Sequence, residues 1–234
     1  MRPLSLFALA SFAAVGAHSQ CVFGEDPAAP ETEAGFVSLF DGKSLSGWHG
    51  VTENYAVHDG ILESLPKKGG NLYTDKEYAD FVLRFEFRLT PGANNGIGLR
   101  VPDGGRSSYE GMEIQIIDET SERFEKIKPY QYHGSVYGVI PAIPGHLRPV
   151  GEWNEEEIRC IGRRVRVILN GVTIVDGDLD EASAGGTPDG KEHPGLKRAS
   201  GHIALCGHNT TVEFRNLRIR EVPQDSRSPG ADLH

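Results

Sequence analysis

Cysteine, methionine and tryptophan are scarce in this chain, at 3, 2 and 2 residues of 234. Three cysteines (Cys21, Cys160 and Cys206) are too few for a disulfide framework, and no Cys/His spacing matches a zinc site. Cys160 and Cys206 both fall in predicted strands and could pair after export, but buried free thiols are the expected state. No apolar run approaches the roughly 18 residues of a membrane-spanning helix. Basic residues are in deficit, with 24 Lys and Arg against 33 Asp and Glu, a net charge of -9 and a pI near 5.5. That balance argues against a nucleic-acid partner and against an anionic membrane surface. A neutral polar ligand such as a sugar is compatible with it but not implied by it. No long amphipathic helix and no internal repeat are present.

What is abundant is glycine, 29 residues, with 14 prolines and recurrent β-branched and aromatic runs. Such a composition in 234 residues predicts a single all-β domain with one sizeable core. Arg2 followed by the apolar stretch from Leu4 to Val15 predicts a signal peptide over 1–19, with small residues at the cleavage point. Ser19-Gln20 is a poor lipobox before Cys21, so periplasmic or secreted soluble protein is expected rather than a lipoprotein. A Pro/Ala/Glu-rich linker follows over 20–35. The domain is expected over 36–222, with a disordered tail over 223–234.

Phe36 to Phe40 reads as a first strand, and Asp59-Gly60 as a hairpin turn. From Phe81 to Leu89 the residues Phe81, Leu83, Phe85, Phe87 and Leu89 alternate with Arg84, Glu86 and Arg88, which predicts a half-buried strand. Ile97, Leu99 and Val101 alternate with Gly96, Gly98 and Arg100 in the same way. Asn170-Gly171 between two Val/Ile-rich runs predicts a type I′ hairpin. Asp180 to Ala199 has no periodicity and reads as a long loop, either closing over a groove or disordered. His202 to Cys206 and Val212 to Arg220 are the last strands. Many strands separated by turns predict a two-sheet jelly-roll sandwich.

The stretch Gly111 to Asp118 carries the chemistry. Met112, Ile114 and Ile116 take one face, and Glu113 and Gln115 the other. Asp118 needs a bulge to rejoin the polar face. Arg100 is expected on the same outer side as Glu113 and Gln115. A surface salt bridge is the ordinary outcome of such a pairing. Glu113-x-Gln115-x-x-Asp118 also resembles the acid pattern of jelly-roll glucanases, whose two carboxylates flank a glycosidic bond; Gln115 departs from the central acid of that pattern. His133 and His208 sit beside glycines at strand ends, where a ligand can approach, and histidine moves protons near neutrality. Tyr137 and Trp153 are candidates to stack on a sugar ring, with a core role at least as natural for Trp153.

Seven segments in order carry a broader likeness: Phe36 to Trp48, Asn95 to Arg100, Glu113 to Asp118, His133 to Tyr137, Gly151 to Asn154, Asn170-Gly171 and Phe214 to Leu217. Together, from about Gly35 to Glu221, they resemble a bacterial family long carried as a domain of unknown function and now called the 3-keto-disaccharide hydrolase domain. The resemblance implies a concanavalin A-like jelly roll, export, and cleavage of 3-keto-glucosides or 3-keto-disaccharides. A C3 ketone acidifies the C2 proton; a base removes it, the enediolate is stabilised, and the C1 substituent leaves by elimination, with hydration possible afterwards. On this chain the resemblance implies Glu113 or His133 as base, Arg100 or a divalent ion (calcium, magnesium or manganese) at the oxyanion, and His208 as acid. Asn95, Gln115, Asp118 and Tyr137 would bind the sugar. It also implies a partner oxidoreductase that makes the ketone. Where many members read Leu-Gln-Asp-His-Gly, this chain reads Leu205-Cys206-Gly207-His208-Asn209: the histidine is kept and the preceding acid is not. A retaining glycosidase using Glu113 and Asp118, and a non-catalytic carbohydrate-binding module, are the alternatives.

Overall fold

The computed structural model describes residues 33–66 and 68–223. The expected signal peptide, nearly all of the expected linker, and the tail from residue 224 lie outside the described residues. Thirteen strands are described: β1 (Val37–Ser38), β2 (Trp48–Gly50), β3 (Tyr55–His58), β4 (Ile61–Ser64), β5 (Gly69–Tyr78), β6 (Phe81–Leu89) and β7 (Asn94–Val101), then β8 (Met112–Ile117), β9 (Trp153–Ile161), β10 (Arg164–Leu169), β11 (Val172–Asp178), β12 (Gly201–His208) and β13 (Val212–Glu221). Two short α-helices join them, α1 (Ser107–Glu110) and α2 (Leu179–Ser183), along with four 3-10 turns among the described residues. The strands form two antiparallel sheets. The larger runs β11-β10-β9-β6-β13-β4-β3, with β1 also on β13, and the smaller runs β2-β5-β12-β7-β8.

Alternation explains the pairing of the sheets. Phe81, Leu83, Phe85, Phe87 and Leu89 of β6 are all buried, and they meet Phe214 of β13 in the core, with Phe85 and Phe214 ring centroids 6.2 Å apart. From the smaller sheet come Ile97, Leu99, Met112, Ile114, Ile116, Ile203 and Leu205. Burying each such side chain stabilises the fold by about 1.5–3 kcal/mol. Asn170 and Gly171 hold φ of 50° and 85°, as the two central residues of a type I′ turn require. The expected first strand shrinks to β1, while β5 has no clean period in sequence. Its Leu72, Tyr73 and Thr74 are buried in succession and Asp75 to Glu77 are exposed. Pairing with β2 and β12 on either side makes it a strand.

Cys160 lies in the larger sheet and Cys206 in the smaller; both are buried free thiols. The Asp180 to Ala199 stretch is ordered. Asp178 caps α2 by accepting from the Asp180 and Glu181 backbone N–H groups at 2.8 and 3.2 Å. Further on, the Asp189 N–H donates to Gly138 O and the His193 ring to Ser108 O at 3.1 Å, so this segment docks beside α1 and Tyr137.

β7 departs from its predicted alternation. Val101 pairs with His202 and Gly98 with Ala204, so β7 carries one extra residue, and Arg100 sits at φ 51°. The bulge turns Val101 outward, beside Tyr73, Ala204 and Cys206. It turns Arg100 away from Glu113. Arg100 is 1% exposed; it pairs with Asp80 at 3.1 Å and donates to the carbonyls of Ala79, Gly162 and Arg198.

Residues 102–111 cross the outer face of the smaller sheet as a strap. Tyr73 Oη donates to Gly105 O at 2.8 Å, Asn71 Nδ2 to Ser107 Oγ at 3.2 Å, and Cys206 Sγ to Ser107 Oγ at 3.1 Å. His49 fastens the start of the strap, its two ring nitrogens each 3.0 Å from a carboxylate, Asp103 and Asp75. The hydrogen bond to Asp103 is the main cause that raises the His49 pKa above 6.5, with that to Asp75 adding to it against the opposing effect of burial.

Two stability outcomes follow from these contacts. Arg100→Ala, which leaves Asp80 buried without its guanidinium, should cost about 3–5 kcal/mol in urea unfolding, whereas Arg164→Ala on the exposed Asp176 pair should stay within about 1 kcal/mol of wild type. Because the folded pKa of His49 is raised, its clamp stabilises fully below the unfolded value of 6.5 and loses its effect as pH rises through the folded one. The melting-temperature gap between wild type and His49→Gln should therefore be widest below pH 6.5 and narrow as the pH rises above it.

Candidate functional site

Strand β8 presents Glu113 and Gln115 on the outer face because Met112, Ile114 and Ile116 are committed to the core. Across β7 these two residues pair with Gly98 and Gly96. A methyl group at Gly96 would overlap the Glu113 carboxylate, so the carboxylate lies in the space that glycine leaves. β12 ends beside it, and its last residue, His208, places Nε2 3.1 Å from Glu113 Oε1. Glu113 is 6% exposed, while the His208 side chain is 46% open to solvent. The hydrogen bond from the ring to Glu113 is the main cause that raises the His208 pKa above 6.5, against the opposing effect of burial. The Glu113 carboxyl group and the His208 imidazole therefore share one hydrogen bond at the mouth of the site.

Gln115 is 4% exposed and donates from Nε2 to Asn94 Oδ1 at 2.6 Å. The segment after the loop joins β8 from its free edge: the Tyr137 N–H donates to Glu113 O at 2.8 Å and the Gln115 N–H to Ser135 O at 3.0 Å. Val136 points into the core, so Tyr137 takes the opposite side, where it makes an edge contact with Tyr130 and accepts from Gln131 at 3.2 Å. Glu113, His208 and Gln115 thus share the outer face, with Tyr137 next to Glu113 along the edge of β8.

The other expected residues go elsewhere. Arg100 is drawn to Asp80 by the bulge, not to the oxyanion position expected of it. His133 is buried between the sheets: its ring stacks on Phe87 at 5.0 Å, Nδ1 accepts from the Ile117 N–H at 3.3 Å, and Nε2 donates to Glu156 at 2.9 Å. Both ring nitrogens are used, and the base role expected of it has no access to a substrate. Asn95 points inward with Ile97, is fully buried, and donates to Ser64 Oγ at 2.8 Å; its Oδ1 accepts from the His208 N–H at 3.4 Å. It holds the His208 backbone and does not reach a sugar. Asp118 follows β8 without a bulge. One oxygen accepts from the Gly92 N–H at 2.8 Å and the other from the Thr120 hydroxyl at 2.6 Å, which makes it a loop anchor and not a second glycosidase carboxylate. Trp153 lies on the larger sheet between the guanidiniums of Arg88 and Arg215, at 4.7 and 4.0 Å.

Asn94 is the site residue that sequence reading passes over in favour of Asn95. Strand parity holds the signal: Asn94 shares a side with Gly96, and Asn95 with Ile97. Among the described residues no three His, Cys, Asp or Glu side chains are arranged to hold a metal ion. Glu113 and His208 give two such donors for the expected divalent ion.

Fold and site together define a jelly-roll sandwich with a carboxylate–imidazole pair on the outer face of its smaller sheet. The family model described as 3-keto-alpha-glucoside-1,2-lyase-like domain matches residues 35–220, and the chain belongs to that family. A 3-keto-disaccharide hydrolase of Bacteroides thetaiotaomicron is 24% identical over 82% of this chain and 80% of its own length. Two solved structures from Parabacteroides distasonis, each described as a glycosyl hydrolase, superpose with TM-scores of 0.71 and 0.63. They are 30% and 26% identical, over 80% and 81% of this chain and 99% and 84% of theirs.

The Glu113–His208 contact can be read directly by NMR. Glu113→Gln should bring the His208 titration down towards 6.5, and Gly96→Ala, which displaces the carboxylate, should move it the same way. An unmoved His208 titration in both variants would show that the pair does not form in solution.

Proposed function

We propose that this chain cleaves the glycosidic bond of 3-keto-glucosides by taking the C2 proton and expelling the C1 substituent. The observation that carries the reading is the 3.1 Å contact between Glu113 and His208, one group buried and the other open. Glu113 carboxylate removes the proton made acidic by the neighbouring ketone. The electron pair forms the C1–C2 double bond as the C1–O bond breaks, and His208 gives its proton to the departing oxygen. Glu113 is then protonated and His208 neutral, so one proton passed along their hydrogen bond restores both groups. The products are the free aglycone and a 2-hydroxy-3-keto-glycal, to which water can add. Tyr137 supplies a hydroxyl donor for the charge that develops on the ketone oxygen. No step is assigned to a metal.

The family, and the 3-keto-disaccharide hydrolase among the relatives, support this substrate class. A retaining glycosidase loses its second carboxylate to the Asp118 loop anchor, and that reading is set aside. The N-terminal sequence supports export. An oxidoreductase that oxidises C3 of a glycoside is the class of enzyme that must supply the substrate.

Chromogenic 3-keto-glucosides and their unoxidised parents decide the matter. Release from the keto forms alone is expected, with kcat falling by about 100-fold or more in Glu113→Gln. Since His208 must be protonated to act as acid, activity should fall on the alkaline side through a pKa above 6.5. Cleavage of the parent glucosides would replace this reading with ordinary glycoside hydrolysis. Turnover insensitive to Glu113→Gln would remove Glu113 as base.

A further inference from the structure

We propose that Asn94 and Gln115 form a hydroxyl-reading subsite for the hexopyranose ring whose C1 bond lies at Glu113 and His208. The ring's identity as a keto-glycoside rests on the function proposed above; the hydroxyl reading itself does not.

Between them the two side-chain amides make one hydrogen bond, Gln115 Nε2 to Asn94 Oδ1 at 2.6 Å. That leaves one carbonyl oxygen, one whole NH2 group and a second N–H of the other amide. Turning both amides over exchanges the partners and leaves the same remainder. Gln115 is 96% buried, yet its Oε1 keeps contact with solvent and takes no hydrogen bond from the protein. Asn94 Nδ2 is in the same position. A sugar hydroxyl both donates and accepts, and a carbonyl oxygen beside an NH2 group is the complement of one hydroxyl or of two vicinal ones.

Placement agrees with chemistry. Gln115 follows Glu113 by two residues on one strand face, about 6.6 Å at a rise of about 3.3 Å per residue. A hexopyranose that presents C1 and C2 to Glu113 and His208 therefore reaches the amides with hydroxyls of its far side. The amides are also held from behind. The Asn94 N–H donates to Thr210 Oγ1 and its carbonyl accepts from the same hydroxyl, both at 2.8 Å, so loss of the side chain leaves the backbone pinned. The Gln115 backbone is tied to Ser135 and Gly134. Two amides fixed by each other, with spare hydrogen-bonding capacity that solvent reaches, can exchange water for a sugar hydroxyl without rearranging.

The full chain, labelled with nitrogen-15, supplies the test. The side-chain NH2 signals of Asn94 and Gln115 are assigned by their loss in Asn94→Ala and Gln115→Ala, and each is followed as methyl 3-keto-glucopyranosides and the parent methyl glucopyranosides are added. Both NH2 signals should shift along with the His208 ring. Asn94→Ala should raise KM for a chromogenic 3-keto-glucoside by about tenfold or more with little change in kcat. A 4-deoxy or 6-deoxy substrate lacking the hydroxyl that is read should lose that penalty. Asn94→Ser serves should the alanine variant fold poorly. Asn95→Ala should instead lower the melting temperature. NH2 signals that stay in place with every sugar, or a wild-type KM in the Asn94 variants, would overturn the subsite. If the wild type turns over no keto-glucoside, the proposed reaction falls, and the NH2 titration with the parent glucosides still decides the subsite.

Discussion

A dry layer between two sheets governs what every polar side chain in this protein can do. Phenylalanine, leucine and isoleucine from both inner faces fill it, and a polar group that points inward must be fully paired or be very costly. Arg100 pairs with Asp80, His133 with Glu156, and Asn95 with Ser64. These side chains have the chemistry of an active site and are spent on satisfying the interior. Polar groups on the outer face of the smaller sheet escape that demand. Glu113, Gln115, His208 and Asn94 keep capacity for a ligand because the core has no claim on them.

That outer face is not simply open. The strap over 102–111, fastened by His49, Tyr73 and Asn71, covers its middle, and the segment around Tyr137 closes its edge along β8. Glycine at 96 provides the one gap in which a carboxylate can lie flat on the sheet and still meet His208. Burial of Glu113 and exposure of His208 follow from this partial cover. A buried carboxyl group next to an open imidazole is an arrangement in which a proton can be taken from one side and delivered on the other.

Much of the fold could be read in the chain, because alternation is a local property. Phe81 to Leu89 and Met112 to Ile117 display their buried faces in sequence, and Asn170-Gly171 announces its turn. β5 could not be read this way, since its charged end conceals a strand that only its two neighbours define. The candidate site is legible in part: Glu113, Gln115 and His208 fall on the outer face of the smaller sheet, with Tyr137 paired through its backbone to Glu113. Arg100 escapes this reading because one extra residue in β7 reverses parity, and parity puts Asn94, not Asn95, on the side of Gly96. The glycine beside His133 does not say which way the ring points.

The sequence by itself determined the all-β class, the inward and outward faces of the regular strands, and the likeness that joins the chain to its family. Those features depend on residues close along the chain, where a period of two or a pair of turn residues suffices. Tertiary structure alone decided which polar residues are free to act. Glu113 and His208 are 95 positions apart and meet only because β7 stands between β8 and β12. Asp118, five residues from Glu113, is lost to a loop. Whether a side chain is consumed by the core or left for a ligand depends on what packs against it, and that is set by strand order and bulges, not by local pattern.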